Sequence, residues 1–164
     1  MNVTQIGVIR SSYVEHKTTP QQAALNPEES AWVEIDEAIA DGLHGLDEFD
    51  YAWLITWLGN DAVRGAGSMS EVPHLVAHLG LSVGSFATRG PFRPTPLGLH
   101  LVELVAVDGA RVEFRGVDII DGTPVLDIKP FVKEFDRPLR GDTSSGWYGL
   151  ADLAGVAERR GILG

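Results

Sequence analysis

Cysteine is absent from the 164 residues, which excludes disulfides, thiolate metal ligands and a thiol nucleophile. No stretch approaches the roughly 18 uncharged apolar residues of a membrane span. The opening Met-Asn-Val-Thr-Gln lacks the basic region and apolar run of a secretion signal, so a cytoplasmic protein without a membrane anchor is expected. No Gly-x-Gly-x-x-Gly follows the first predicted strand, which argues against a doubly wound nucleotide-binding sheet. Internal repeats and low-complexity tracts are missing as well. Basic charge is scarce: 13 Lys and Arg stand against 23 Asp and Glu, a net charge of −10. That sign is wrong for a chain whose work is to neutralise phosphates.

The acidity is local. Residues 26–50 hold nine acids and no Lys or Arg, leaving 14 acids and 13 bases for the rest of the chain. Lys129, Lys133, Arg137 and Arg140 fall within twelve residues. With Arg89 and Arg93 they form either a basic rim for a nucleic acid or a solvated mixed-charge tail interrupted by Glu134 and Asp136. A hydrophobic content of 44% suits one domain over residues 1–164, burying about 70% of its unfolded surface.

The hydrophobic pattern is mostly that of strands. Val3 to Arg10 alternates, Ala31 to Ile35 gives a second strand, and Phe49 to Leu58 a buried third. Asp36 to Leu43 reads as a short helix stopped by Gly42 and Gly45. Leu99 to Val107 and Ala110 to Val117, joined by Asp108-Gly109, predict a tight hairpin. Thr123 to Ile128 adds a strand ended by Pro130, and Leu150 to Arg160 predicts a C-terminal helix closed by Gly161. Residues 59–81 carry four glycines and read as a mobile loop. Short antiparallel strands of this kind predict a mainly β fold: a small antiparallel β-barrel, or strongly coiled sheet, with short helices.

Phe86 to His100 concentrates two arginines, three prolines and two glycines in fifteen residues. Pro91, Pro94 and Pro96 fix φ and hold Arg93 and Thr95 extended, giving a stiff loop that loses little entropy on binding. Arg89 and Arg93 either dock an anion such as a carboxylate or phosphate, or pair with carboxylates elsewhere on the surface. His100 directly follows this loop and reads as structural. His74 and His78 have the i, i+4 spacing of a metal pair, but no third ligand accompanies them and no metal is expected.

Three segments in order, Ile6 to Ser11 (Ile-Gly-Val-Ile-Arg-Ser), Phe86 to His100, and Val117 to Phe131 with its Asp-Gly-Thr-Pro turn, resemble the TsaA-like (TrmO) family over most of residues 3 to 136. Residues 137–164 are then a C-terminal extension. Characterised members of that family are S-adenosylmethionine-dependent tRNA methyltransferases. The resemblance implies a non-Rossmann β-barrel that binds S-adenosyl-L-methionine, pairs as a homodimer, and methylates N6 of threonylcarbamoyladenosine beside the tRNA anticodon. A small molecule or peptide is the alternative acceptor for the same fold.

Carried over by motif, the cofactor contacts fall on Pro20, Gln21 and Gln22, on Asn60, on Arg89, Arg93, Pro94 and Pro96, and on Asp118, Asp121, Gly122, Thr123 and Pro124. Thr95 replaces a usual Asn. Members acting on tRNA commonly carry a His followed by Gln or Arg after the third strand, where this chain reads Trp57-Leu58-Gly59-Asn60; either the acceptor has changed or Asn60 takes over a hydrogen bond. Methyl transfer from a sulfonium needs in-line positioning and a deprotonated nucleophile. Asp121 and Asp127 are candidates for the base, and Tyr13 for a ligand contact, although Asp127 also reads as a strand residue paired with Lys129.

Overall fold

The computed structural model describes residues 2–16, 18–20, 22–59 and 69–151. Its strands are β1 (Gly7–Arg10), β2 (Ser30–Ile35), β3 (Tyr51–Trp57), β4 (Ser70–Glu71), β5 (Val83–Gly84), β6 (Leu97–Asp108), β7 (Arg111–Arg115) and β8 (Pro124–Pro130). Six of them close a barrel in the order β1-β2-β7-β6-β3-β8, every neighbouring pair antiparallel. The mainly β, antiparallel barrel expected from the sequence is therefore the fold. No helix among the described residues is long and apolar enough to cross a membrane.

Alternation along each strand fills the barrel. Ile9, Ala31, Val33, Ala52, Leu54, Val102, Val112, Phe114 and Val125 are almost wholly buried and form one apolar cluster. Their alternate neighbours face outward, as a period of two requires. Two register shifts, between Ile55 and Thr56 on β3 against β8 and between Leu104 and Ala106 on β6 against β7, bend the sheet towards closure.

Several boundaries differ from the sequence reading. The first ladder strand begins at Gly7 rather than Val3, and β6 begins at Leu97 rather than Leu99. The hairpin turn is Gly109-Ala110, since Asp108 pairs with Arg111. Gly109 takes φ +57° at the first loop position, the place where a two-residue hairpin loop needs positive φ. The expected helix is a 3-10 turn, Glu37–Leu43, capped by the Asp36 side chain accepting from the Ala38 N–H. Of the stretch read as a loop, residues 60–68 lie outside the described residues; the rest carries β4 and a 3-10 turn, His74–Leu79, and β4 pairs with β5 just beyond it. The predicted C-terminal helix lies almost entirely outside the described residues, which end on a 3-10 turn at Gly146–Leu150.

Antiparallel pairing sorts the connections to the two ends of the barrel. One end gathers the exit of β1, the entry of β2, the exit of β3, the entry of β6, the exit of β7 and the entry of β8. At the other end, the connection from β2 to β3 carries Asp36, Glu37, Asp41, Asp47, Glu48 and Asp50, six of the nine clustered acids.

Candidate functional site

The segments singled out in the sequence meet at the end of the barrel opposite that acidic connection. The Asp-Gly-Thr-Pro turn closes onto the exit of β1: the Asp121 N–H donates to the Tyr13 carbonyl (2.7 Å), and Gly122 N–H to that of Ile9 (2.9 Å). The Ser11 N–H donates to Asp121 Oδ1 (3.2 Å), and the Ser11 hydroxyl to the Ile119 carbonyl (2.7 Å). Thr123 Oγ1 donates back to the Ile120 carbonyl at 2.6 Å, tightening the turn. Gly122 has φ +78° and open space where a side chain would begin, so the backbone is exposed to a ligand there. Asp121 is exposed, and Pro124 starts β8.

The two arginines of the proline-rich loop have different tasks. Arg93 is half-buried and turns back on its own loop, donating to the carbonyls of Gly90 (3.0 Å), Ser85 (3.0 Å) and Thr88 (3.2 Å). Arg89 is exposed, and among the described residues its guanidinium makes only one long contact, 3.5 Å to the Leu99 carbonyl. Arg93 therefore shapes the loop and Arg89 presents charge from it. Pro94 is exposed and Pro96 buried; the Pro96 carbonyl accepts from the Leu58 N–H at 2.9 Å, tying the loop to the exit of β3.

A neighbouring anchor could not be read from the sequence. The 3-10 turn at Gly146–Leu150 folds back onto the arginine loop: Trp147 Nε1 donates to the Ala87 carbonyl (2.7 Å), and the Arg89 N–H donates to the Tyr148 hydroxyl (2.9 Å). The two aromatic rings stack with centroids 3.8 Å apart.

Beneath the turns lies a buried polar chain. Asp118 Oδ1 is 2.7 Å from His100 Nδ1, and His100 Nε2 is 3.0 Å from Thr56 Oγ1. Asp118 Oδ2 accepts from the Ala23 N–H at 3.2 Å. A carboxylate only accepts, so Nδ1 carries a proton in this contact and, in the neutral ring, Nε2 accepts from the threonine hydroxyl. The order carboxylate, imidazole, hydroxyl is that of an acyl-transfer triad, but Thr56 is wholly buried, so its hydroxyl cannot meet a substrate. Both Asp118 oxygens are engaged inward, and the side chain is 12% exposed.

The remaining candidates separate. Tyr13 is half-buried, with its hydroxyl accepting from Asn26 Nδ2 at 2.8 Å. Burial pushes its phenol above the ordinary tyrosine range, outweighing the bond from Asn26. Tyr13 thus holds its proton more firmly than an ordinary tyrosine. Asp127 faces outward and pairs with Lys129 Nζ at 2.8 Å, which raises the lysine pKa through that bond and the carboxylate charge. This is the strand pairing that the sequence offered as the alternative reading of Asp127. Pro20 is buried and Gln22 half-buried beside Ala23; Gln21 and Asn60 lie outside the described residues. Gly59 has φ +93°, a backbone conformation that L side chains rarely adopt.

Lys129, Lys133, Arg137 and Arg140 are exposed. The seven residues of β8 carry the chain about 20 Å from the Asp-Gly-Thr-Pro turn, so Lys129 and Lys133 stand toward the acidic end and not beside the turn as expected. Lys133 also lies 3.8 Å from Glu134. From there the chain returns through Arg137 and Arg140 to the Trp147-Tyr148 anchor on the arginine loop.

An exposed guanidinium, an exposed carboxylate and a turn with open backbone complement a small zwitterion bearing hydroxyl groups. Residues 8–137 match the tRNA-methyltransferase O N-terminal domain model, and the chain belongs to that family. It is 38% identical over 142 residues to a probable S-adenosyl-L-methionine-binding protein of Pyrococcus abyssi, covering 87% of this chain and 73% of that one. It is 35% identical over 134 residues to a tRNA (adenine(37)-N6)-methyltransferase of Escherichia coli, covering 78% of this chain and 56% of that one. Among solved structures, it resembles the crystal structure of TrmO from Pseudomonas aeruginosa with a TM-score of 0.67 and 31% identity, over 89% of this chain and 62% of that one. The chain thus spans little more than half the length of the E. coli relative.

Proposed function

We propose that this chain is an S-adenosyl-L-methionine-dependent methyltransferase whose acceptor is N6 of a tRNA adenine, in its threonylcarbamoylated form, beside the anticodon. The observation that carries the reading is the convergence of the Asp-Gly-Thr-Pro turn, the Ala23–Leu25 turn and the Arg89 loop at one barrel end, within a family whose relatives bear those names.

The residues present suit the cofactor. Arg89 is free to receive the methionyl carboxylate. Asp121 and the open backbone at Gly122 suit ribose hydroxyls and a close-lying adenosine. When bound, the cofactor supplies an electrophilic methyl group on a sulfonium. Transfer would require the acceptor nitrogen to be held in line at about 3 Å and water to be kept out. The N–H of an acylated exocyclic nitrogen is more acidic than that of adenine, and Asp121, exposed on the turn, is the carboxylate available to take its proton.

A homodimer accords with the outer face of β3 and β6. Leu97, Leu99 and Leu101 are 44%, 52% and 36% exposed and stand opposite Trp57, Ile55 and Trp53. This continuous apolar face adjoins Arg89 through Leu99, so a second copy seated on it would bring its own surface to the site. Residues 3–136 make the catalytic core, residues 137–164 an extension, and the cytoplasm is where such an enzyme meets its tRNA. The acidic connection, at the opposite barrel end, leaves the acceptor side free of its repulsion.

The test is transfer of labelled methyl from S-adenosylmethionine to tRNA, followed by nucleoside mass spectrometry. Methylated threonylcarbamoyladenosine is the expected product. Transfer to a small molecule or peptide alone would move the acceptor to the alternative class.

A further inference from the structure

Thr56, His100, Asp118 and the Ala23 N–H form one hydrogen-bonded chain through the interior. Each link belongs to a different wall of the candidate site. Thr56 sits on β3 one residue before Trp57 and the Leu58-Gly59 exit. His100 sits on β6 just inside Pro96 and Gly98, where the arginine loop enters the sheet. Asp118 opens the segment that carries Asp121 to Pro124, and Ala23 begins the 3-10 turn after Pro20 and Gln22. The inner half of this chain is as buried as the apolar core, with Thr56 at 0% and His100 at 8% exposure, and the chain runs outward through the partly buried Asp118 to Ala23. Gly98 leaves the room it needs, because a Cβ there would press into both His100 Nε2 and Thr56 Oγ1.

Burial of a polar chain is costly unless every member is satisfied, and then it fixes a single geometry. Among the described residues no buried side-chain polar atom lacks a partner. We propose that His100 is a positioning residue: by holding Asp118 it sets the distance between the Ala23–Leu25 turn and the Asp-Gly-Thr-Pro turn, and so the width of the cofactor cleft. This rests on the cofactor site proposed above. It gives His100, which the sequence reads only as structural, a part in binding that involves no contact with the ligand.

The imidazole has two isosteric halves, which makes the inference testable. In His100→Asn the amide nitrogen stands near the position of Nδ1 and can still donate to Asp118, while the bond to Thr56 is lost. In His100→Gln the amide reaches Thr56, and the bond to Asp118 is lost. S-adenosylhomocysteine is titrated into the whole chain by calorimetry, with melting temperatures measured in parallel. The Asn variant should keep near-native affinity, and the Gln variant should lose about tenfold or more, as expected when a displaced wall misplaces a ligand. A merely structural histidine would give affinities that follow melting temperature, with no split between the two variants.

Ala23→Pro tests the outer link without touching the core. Position 23 is the first residue of its 3-10 turn, and Gln22 before it is extended at φ −151° and ψ 144°, so proline fits both while removing the N–H that Asp118 receives. It should weaken cofactor binding by about tenfold with little change in melting temperature. Wild-type protein that fails to bind S-adenosylhomocysteine would overturn the cofactor reading together with this one. Native affinity in both His100→Gln and Ala23→Pro, beside a wild type that binds, would overturn the positioning role alone.

Discussion

Arg89 and Arg93 stand four residues apart on one proline-stiffened loop and face opposite ways: Arg93 donates three hydrogen bonds to carbonyls of that loop, while the Arg89 guanidinium reaches outward with a single 3.5 Å contact among the described residues. The backbone of Arg89 is held from the far side by Tyr148, 59 residues on in sequence. One arginine builds the support and the other uses it.

This division predicts a split between two alanine variants. Arg89→Ala should weaken cofactor binding by roughly 2–4 kcal/mol, the range for a truncated charge pair, with the melting temperature nearly unchanged. Arg93→Ala should instead cost about 2 kcal/mol or more of stability, as carbonyls lose a charged donor. Isothermal calorimetry and thermal melts on both variants decide the assignment. Equal effects on both readouts would refute it.

Tyr148→Phe keeps the stack on Trp147 and removes only the acceptor for the Arg89 N–H. Stability should fall by about 1 kcal/mol or less, because the site is partly solvated. The informative readout is limited proteolysis of residues 85–93, which should speed up in Tyr148→Phe and more so in Trp147→Ala.

Much of the barrel is legible in the sequence because one period does most of the work. Tyr51–Trp57, rich in aromatic and aliphatic residues, reads as a strand from sequence alone, but that Ala52, Leu54 and Thr56 are its buried face does not, since apolar residues line both faces. The start of β6 is harder to read because three prolines suggest a long irregular entry, yet Leu97 is already in the ladder opposite Trp57. Proline restricts itself and its predecessor, not the residue that follows. In the site, the motifs point to the right turns but not to how they are joined. The partners of His100 lie 44 residues before it and 18 after it, and no local pattern encodes such pairings. Trp147 and Tyr148 give no signal for the same reason.

Gly98→Ala tests the packing of the buried chain directly. The added methyl would meet the side chains of His100 and Thr56 within van der Waals contact, where neither can withdraw from a closed barrel. Overpacking of this kind costs about 1–3 kcal/mol. Denaturant unfolding of the single variant, and of Gly98→Ala combined with Thr56→Ala, should show partial rescue once the threonine hydroxyl is removed. The same loss in both proteins would place the clash elsewhere.

Alkaline titration isolates Tyr13. Its phenol is raised in the folded state chiefly by burial, so the protonated form is favoured by folding. The associated stability is present below the unfolded value of about 10, and is lost as pH rises through the folded value. Lys129, raised by Asp127, acts in the same direction but is exposed, and salt screens it. At high salt the remaining alkaline loss of stability should therefore disappear in Tyr13→Phe. A spectrophotometric titration should show a late-titrating phenol in the wild type that is missing from that variant.

Charge reversal tests the acceptor. The chain has net charge −10, so tRNA binding must draw on local basic groups. Lys129 is already paired with Asp127, and Lys133 lies near Glu134 beyond the end of β8 remote from the candidate site. Arg137 and Arg140 are exposed without a hydrogen bond or ion pair among the described residues, on the segment that returns to the Arg89 loop. Arg137→Glu with Arg140→Glu should depress tRNA methylation steeply and flatten the dependence of log affinity on log salt by about 0.9 for each phosphate no longer neutralised. The Lys129→Glu, Lys133→Glu pair should do less, and cofactor affinity should hold in both. A small-molecule acceptor would make neither pair matter; turnover would then respond to a bulky residue at Gly59, where backbone at φ +93° borders open space. Full methylation of tRNA by the doubly reversed arginine variant would end the case for those two residues as the groups that hold phosphate.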